Sequence, residues 1–249
     1  MNAETHWKLP CETFRASGAF TTFLARERGL LDLRYGLEGT LAAPGLSVLE
    51  GSCGLCLSST AFTVTGRAEA GADRPNWRET QHCGCPDRLS SRFRALLQFV
   101  QGQIAPPAWA NLLLLGAAQA IEPRLQAMVG SITVRARSGR LLRAPVFGQR
   151  THHLVLSCDH LHAEPALDSV LVSLREAMLP GAALVMTAPF NAHAADTVAA
   201  DRHQAGVLGW DILARLSRAG FATPAAHLYW SQEFGYLGPF NFIFSAMAA

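Results

Sequence analysis

Lysine is almost missing from this 249-residue chain: Lys8 is the only one, and arginine carries nearly all the positive charge. Charge of any kind is sparse, at 16% of residues, and the formal net charge is only +2. A nucleic-acid binder needs a concentrated basic face to neutralise phosphates, so composition argues against one. Long apolar runs are also lacking. The longest, "NLLLLGAAQAI", falls well short of the roughly 20 residues that cross a bilayer. The N-terminus "MNAETHWKLPCETF" has no basic stretch followed by an apolar core, so no signal peptide is expected there. GxSxG, P-loop and HExxH motifs are absent, which removes the simplest hydrolase, phosphate-binding and zinc-protease readings. The expectation is a cytoplasmic protein that neither enters a membrane nor binds nucleic acid, with thiols kept reduced.

What is present is apolar residue, at 49%, enough for a sizeable core. Residues 1–45 hold one expected helix, "GAFTTFLARERGLLDL", with "LEGTLAAPGLS" as a turn-rich connector. Residues 46–104 combine short β-like runs such as "TAFTVTG" with an amphipathic helix, "DRLSSRFRALLQFVQGQ". That helix should bury Leu89, Phe93, Leu96, Leu97 and Val100 and turn its arginines to solvent. From residue 105 strands and helices alternate. "NLLLL", "SITVRA", "HHLVLSC" and "PGAALVMTAPF" (after a Pro-Gly turn) are strands. "QAIEPRLQAMV", "AEPALDSVLVSLREAML" and "GWDILARLSRAGF" are helices. "PAAHLYWS" and "FNFIFSAMA" close the chain. This alternation implies a mostly parallel sheet covered by helices, with the last strand inserted antiparallel.

Four of the six cysteines form two tight pairs, Cys53/Cys56 in "CGLC" and Cys83/Cys85 in "CGC". In a reducing compartment such pairs point to metal, and four thiolates make a closed structural zinc site. A ribbon of about 40 residues cannot build a sufficient core, so a metal would supply the missing stability. Two alternatives remain at this stage, reduced cysteines packed in a small β-unit and a redox pair. His82 is also adjacent and could replace one thiolate. Cys11 and Cys158 read as ordinary thiols.

The motifs "CGLC…NWRE…C…RFRALL" resemble the zinc-ribbon-like module that precedes some class I S-adenosylmethionine (SAM) methyltransferase domains. "HHLVLSCDHLHAEPALDSVLVSLREAMLPGAALVMTAPF" and "GWDILARLSRAGF" resemble the second half of such a domain. The resemblance spans roughly residues 50–249. It implies a seven-stranded, mostly parallel Rossmann-like sheet over 105–249, SAM as cofactor and a small-molecule substrate, with a protein partner or homodimer left open. It places Gly116, Ala117, Gln119 and Cys158 around the cofactor. The sequence departs from the family at three anchors. No acid precedes Gly116, Ile132–Val134 followed by Arg135 and Arg137 replace the acid after the second strand, and His153 stands where an Asp usually opens the fourth. Each lost charge-assisted hydrogen bond would contribute about 1–3 kcal/mol, so two together weaken SAM by about a hundredfold or more. A second reading follows, a pseudo-methyltransferase that has given up SAM for another reaction or a partner role. In the loop after "HHLVLSC", His160 or Asp159 is the candidate base; a second metal held by these residues with Cys158, or no chemistry at all, are the other readings. Asn191 and His193, and an aromatic lid from the "HLYWSQEFGYLGPFNF" segment, are further candidates.

Overall fold

The computed structural model describes residues 8–42, 48–64, 74–116, 118–135, 150–200 and 204–249. The chain forms two compact units. One comprises residues 1–12, 20–104 and 228–241; the other comprises 13–19, 105–227 and 242–249.

In chain order, the elements begin with β1 (Cys11–Phe14), α1 (Ser17–Arg26) and α2 (Arg28–Leu41). The single helix expected at the N-terminus is thus two. It also runs on to Leu41 through much of the expected connector, because nothing in "LEGTL" breaks it; residues 43–47 lie outside the described set. Next come β2 (Val48–Cys53), β3 (Ser58–Val64), the short α3 (Trp77–Thr80) and β4 (Gln81–Cys83), which form an antiparallel sheet in the order β2-β3-β4. Helix α4 (Ser91–Phe99) follows and ends in a wide π-turn over Val100–Ile104. One expectation fails here. Arg94 is fully buried instead of facing solvent, while Phe93 is only half-buried. Arg94 donates from Nη1 to the Phe234 carbonyl at 2.6 Å and from Nη2 to Gly235 at 2.9 Å. Its guanidinium also lies 4.3 Å above the Phe62 ring. These contacts come from residues far along the chain, so helical periodicity carried no sign of them.

The second unit contains β5 (Asn111–Leu115), α5 (Glu122–Gln126), β6 (Ser131–Arg135), β7 (His152–Cys158), α6 (Leu167–Ala177), β8 (Met178–Thr187) and α7 (Asp211–Arg218). Strands β9 (Phe221–Ser231) and β10 (Tyr236–Ala248) complete the chain. Among the described residues the sheet has seven strands in the order β1-β9-β10-β8-β7-β5-β6. β6, β5, β7 and β8 run parallel, and β10 pairs antiparallel with β8. This is the α/β, seven-stranded, mostly parallel sheet expected from the sequence, with its reversed last strand; only six of its strands lie within 105–249, however, and the seventh is β1 at the edge. The leucines of β5 and Leu154–Leu156 of β7 are inaccessible, as strands covered on both faces require. Burying each such side chain contributes about 1.5–3 kcal/mol. Pro180-Gly181 is not a turn before β8 but an irregularity within it. The register with β7 jumps from His152↔Met178 to Leu154↔Ala183, and Gly181 takes φ +75°. Among the described residues no helix is long and apolar enough to cross a membrane.

Candidate functional site

Two places concentrate chemistry, one in each unit. In the first, the chain turns sharply after β2 and again after β4. Leu57 N–H bonds back to the Cys53 carbonyl at 2.8 Å, and Arg88 N–H bonds back to the Cys85 carbonyl at 2.9 Å. These knuckles bring the sulfurs of Cys53, Cys56 and Cys85 within 4.8 Å of one another. A tetrahedral zinc with Zn–S of about 2.3 Å needs sulfurs about 3.8 Å apart, so a small inward movement would close the set. Cys83 packs against Cys53 as the fourth thiol and hydrogen-bonds to it. His82 does not join them. Alternation along β4 turns it away from Cys83, and its Nδ1 lies 3.0 Å from the Thr80 carbonyl. The Cys83 hydrogen bond, supported by backbone N–H groups at Leu55 and Cys56, draws the Cys53 thiol down to about 4 against the opposing effect of burial. Burial and the neighbouring Cys85 and Cys53 sulfurs push Cys56 up to about 12. One thiolate is therefore easy here and further ones need a cation. The cluster is walled by Leu49, Phe62, Trp77 and Leu237, a surrounding that keeps water from bound metal. Among the lone thiols, Cys11 is pushed up to about 11, mainly by burial, and Cys158 is buried.

The second place is the carboxyl edge of the parallel strands. Strand order departs from β5 toward β6 on one side and β7 on the other, and open α/β sheets bind ligands at such a switch point. Gly116 ends β5 with φ +97°, and an added Cβ would lie 2.6 Å from the Cys158 carbonyl oxygen, so only glycine fits. Ala117 lies outside the described residues, Ala118 is buried, and Gln119 is exposed. Asp159 takes φ +47°, tolerated by its short polar side chain, and its N–H bonds to the Thr187 carbonyl at 3.1 Å.

His160 is buried. Its Nε2 lies 3.4 Å from Glu164 Oε1 without forming a hydrogen bond, and burial, followed by His162, holds its pKa below the usual histidine value. Ser157 Oγ and Thr187 Oγ1, at the ends of β7 and β8, are buried and lack hydrogen-bond partners. A cavity of about 250 Å³ opens nearby in the chain, lined by His162, Glu164, Asp168, Ser169, Thr197 and Arg215 among others. Arg215 bridges Asp168 at 3.0 Å and Asp211 at 2.7 Å. Of the sequence candidates in this loop, only His162 lines that cavity. Cys158 and His160 are buried and do not line it, and Asn191 and His193 are exposed. Sequence reasoning passed over Glu164. Its signal was the i, i+4 spacing from His160, in a stretch whose helical turn is too short to show a periodicity. His153 stands at the other end of its strand, where Nδ1 accepts the Asn111 N–H at 3.1 Å.

Comparison with known proteins comes to this. No protein-family model matches the chain, and no curated protein does. Among solved structures, a chain of the Haloferax volcanii complex between the Trm112 methyltransferase activator and a candidate methyltransferase is similar at TM-score 0.45 and 11% identity, over 64% of this chain and 88% of that one. The Haemonchus contortus phosphoethanolamine N-methyltransferase 2, in complex with phosphomonomethylethanolamine and S-adenosylhomocysteine, is similar at 0.44 and 11%, over 61% and 52%. The [4+2]-cyclase SpnF is similar at 0.39 and 18%, over 57% and 63%. This chain thus spans only about half the length of the Haemonchus enzyme. Likeness at these scores assigns no activity here.

The fit of SAM can be judged on the residues themselves. The glycine turn and the Ser157 and Thr187 hydroxyls without hydrogen-bond partners suit a polar ligand at the edge. The ribose end finds no acid. β6 ends at exposed Arg135, and the sequence holds no Asp or Glu between Glu122 and Asp159.

Proposed function

We propose that this chain is a class I SAM-methyltransferase-type protein acting on a small molecule, with the thiol cluster holding a structural zinc. The carrying observation is the edge of the sheet. A glycine-only turn sits at the switch point, and two buried hydroxyls without hydrogen-bond partners, Ser157 Oγ and Thr187 Oγ1, stand at the ends of β7 and β8. Buried polar groups are nearly always satisfied, so two together at one edge support a ligand or ordered water that completes them. SAM, when bound, supplies an electrophilic methyl group; the protein's contribution is then placement of the acceptor. In this reading Gly116, Ala117 and Gln119 form the cofactor turn and Cys158 backs it. Acid–base work falls to the loop that follows. Asp159 shapes its turn, Glu164 and His162 face the cavity, and neutral His160 sits behind Glu164 as its proton partner. The chain is read as cytoplasmic, which keeps the thiols reduced for metal.

A second reading is favoured by Arg135. A cation at the tip of β6 repels no hydroxyl but offers ribose no acceptor, which suits a protein that keeps the fold and has replaced SAM. Incubation with methyl-labelled SAM and a small-molecule extract of the source cells separates the two. Label appearing in a small product, and lost in Gly116→Val, supports methyl transfer. Absence of labelled product with folded, metal-loaded protein favours the second reading.

A further inference from the structure

Besides these two places, the first unit holds a cavity of about 340 Å³ between α2 and residues 228–240, whose Trp230 wall also packs against the apolar shell of the thiol cluster. Its walls are apolar, formed by Leu31, Tyr35, Leu228, Trp230, Pro239 and Phe240. Two charged side chains contact the aromatic wall. Arg34 lies 4.6 Å over the Trp230 ring, and Glu38 Oε1 accepts the Trp230 indole N–H at 2.8 Å and the Gly238 N–H at 2.9 Å. Glu38 is 1% exposed, yet its second oxygen, Oε2, has no hydrogen-bond partner; the nearest cation, Arg74 Nη1, stands 3.7 Å away. A buried carboxylate oxygen left without a donor is costly, and such groups are rarely left so.

We infer that this cavity is a binding site for a compact apolar ring molecule carrying one O–H or N–H donor, of the phenol or indole type, with the donor on Glu38 Oε2 and the ring against Trp230 and Phe240. Three features define that class. The volume lies at the lower end of small-molecule sites. The walls offer mainly apolar and aromatic surface, with Asp32, Arg34 and Glu38 as the charged lining. Two lining groups are unmet: Glu38 Oε2 is an acceptor that only a donor completes, and Arg34 Nε is a donor that a hydroxyl oxygen can meet. Arg74 already offsets the charge of Glu38, so a neutral donor suffices. The inference stands independently of the reading given to the sheet edge.

Calorimetry on the full, metal-loaded chain with 2-naphthol and with 2-methoxynaphthalene tests it. The two probes share a ring system and differ in the donor. A hydrogen bond to a buried carboxylate predicts that 2-naphthol binds about tenfold or more tighter. Leu31→Trp, which fills the cavity from a partly exposed helix position, should weaken 2-naphthol at least about tenfold. Equal affinities overturn the assignment of the donor to Glu38. No saturable binding of 2-naphthol at about millimolar concentration, or undiminished binding to a folded Leu31→Trp, overturns the site. Should that variant fail to fold, the probe pair on the native chain still decides.

Discussion

Arg94 offers the sharpest stability prediction. It is a fully buried cation with no carboxylate partner among the described residues, held by two main-chain carbonyls and by the faces of Phe62 and Tyr236 at 4.3 and 5.0 Å. Arg94→Met keeps the length and the apolar stem and removes every donor. The Gly235 carbonyl is then buried without a partner, at a cost of about 1–3 kcal/mol, while the part-buried Phe234 carbonyl can regain some hydration. Two buried cation–π contacts contribute roughly 1–2 kcal/mol more. Relief of the guanidinium's desolvation offsets part of this. The net is a loss of about 2–4 kcal/mol, or roughly 5–15 °C in Tm for a chain of this size. Arg94→Lys keeps the charge but cannot fork to both carbonyls, so it should fall between the two. Urea unfolding followed by tryptophan fluorescence reads the difference. If Arg94→Met is neutral or more stable than the parent, desolvation dominates and the account of this helix is wrong.

Other consequences follow from the same geometry. Protein purified without chelator should carry about one zinc per chain, and Cys53→Ser with Cys85→Ser should abolish it and lower Tm by more than about 10 °C; elemental analysis showing far less than one zinc, or a double variant that melts like the parent, contradicts the metal assignment. Gly116→Ala should destabilise by roughly 2 kcal/mol or more, since it adds both left-handed strain and a Cβ against the Cys158 carbonyl; a silent substitution in thermal melts would mean that the turn adapts. Burial, then Arg15, depresses His227 to about 4, and the ring bonds Thr13 and Ser245. Its folded pKa lies below the unfolded value near 6.5, so its contribution is complete above about pH 6.5 and drains away as pH falls toward 4. His227→Gln should flatten that part of the stability–pH curve; an unchanged slope would place the acid sensitivity elsewhere.

The parallel strands were legible because both faces of β5 and β7 are covered, which writes them as unbroken apolar runs. The helices α6 and α7 were legible from their buried stripes, Leu167–Val170–Leu171–Leu174 and Ile212–Leu213–Leu216. The thiol knuckles announced themselves by spacing. β1 was missed because Cys11–Phe14 is a four-residue edge strand with mostly exposed side chains, too short to show alternation. The burial of Arg94 and Glu38 was invisible because their partners, Phe234, Gly235, Trp230 and Gly238, lie about 140 to 200 positions away. The same holds for the cavity-lining role of Glu164, which depends on Thr197 and Arg215 arriving from other elements. Of the expected lid aromatics, Tyr229, Tyr236 and Phe242 are core, whereas Trp230 and Phe240 line the cavity against α2, a division that composition alone cannot make.

The central claim is that the edge of the sheet at Gly116 still receives SAM despite Arg135 and the missing acids. Isothermal calorimetry of the folded, metal-loaded protein with SAM and with S-adenosylhomocysteine tests it most directly. The account predicts saturable binding of both, weakened by the absent ribose anchor to about the micromolar-to-hundred-micromolar range, and loss of both in Gly116→Val. No detectable heat with either ligand at several hundred micromolar would contradict it and leave the cleft to some other ligand.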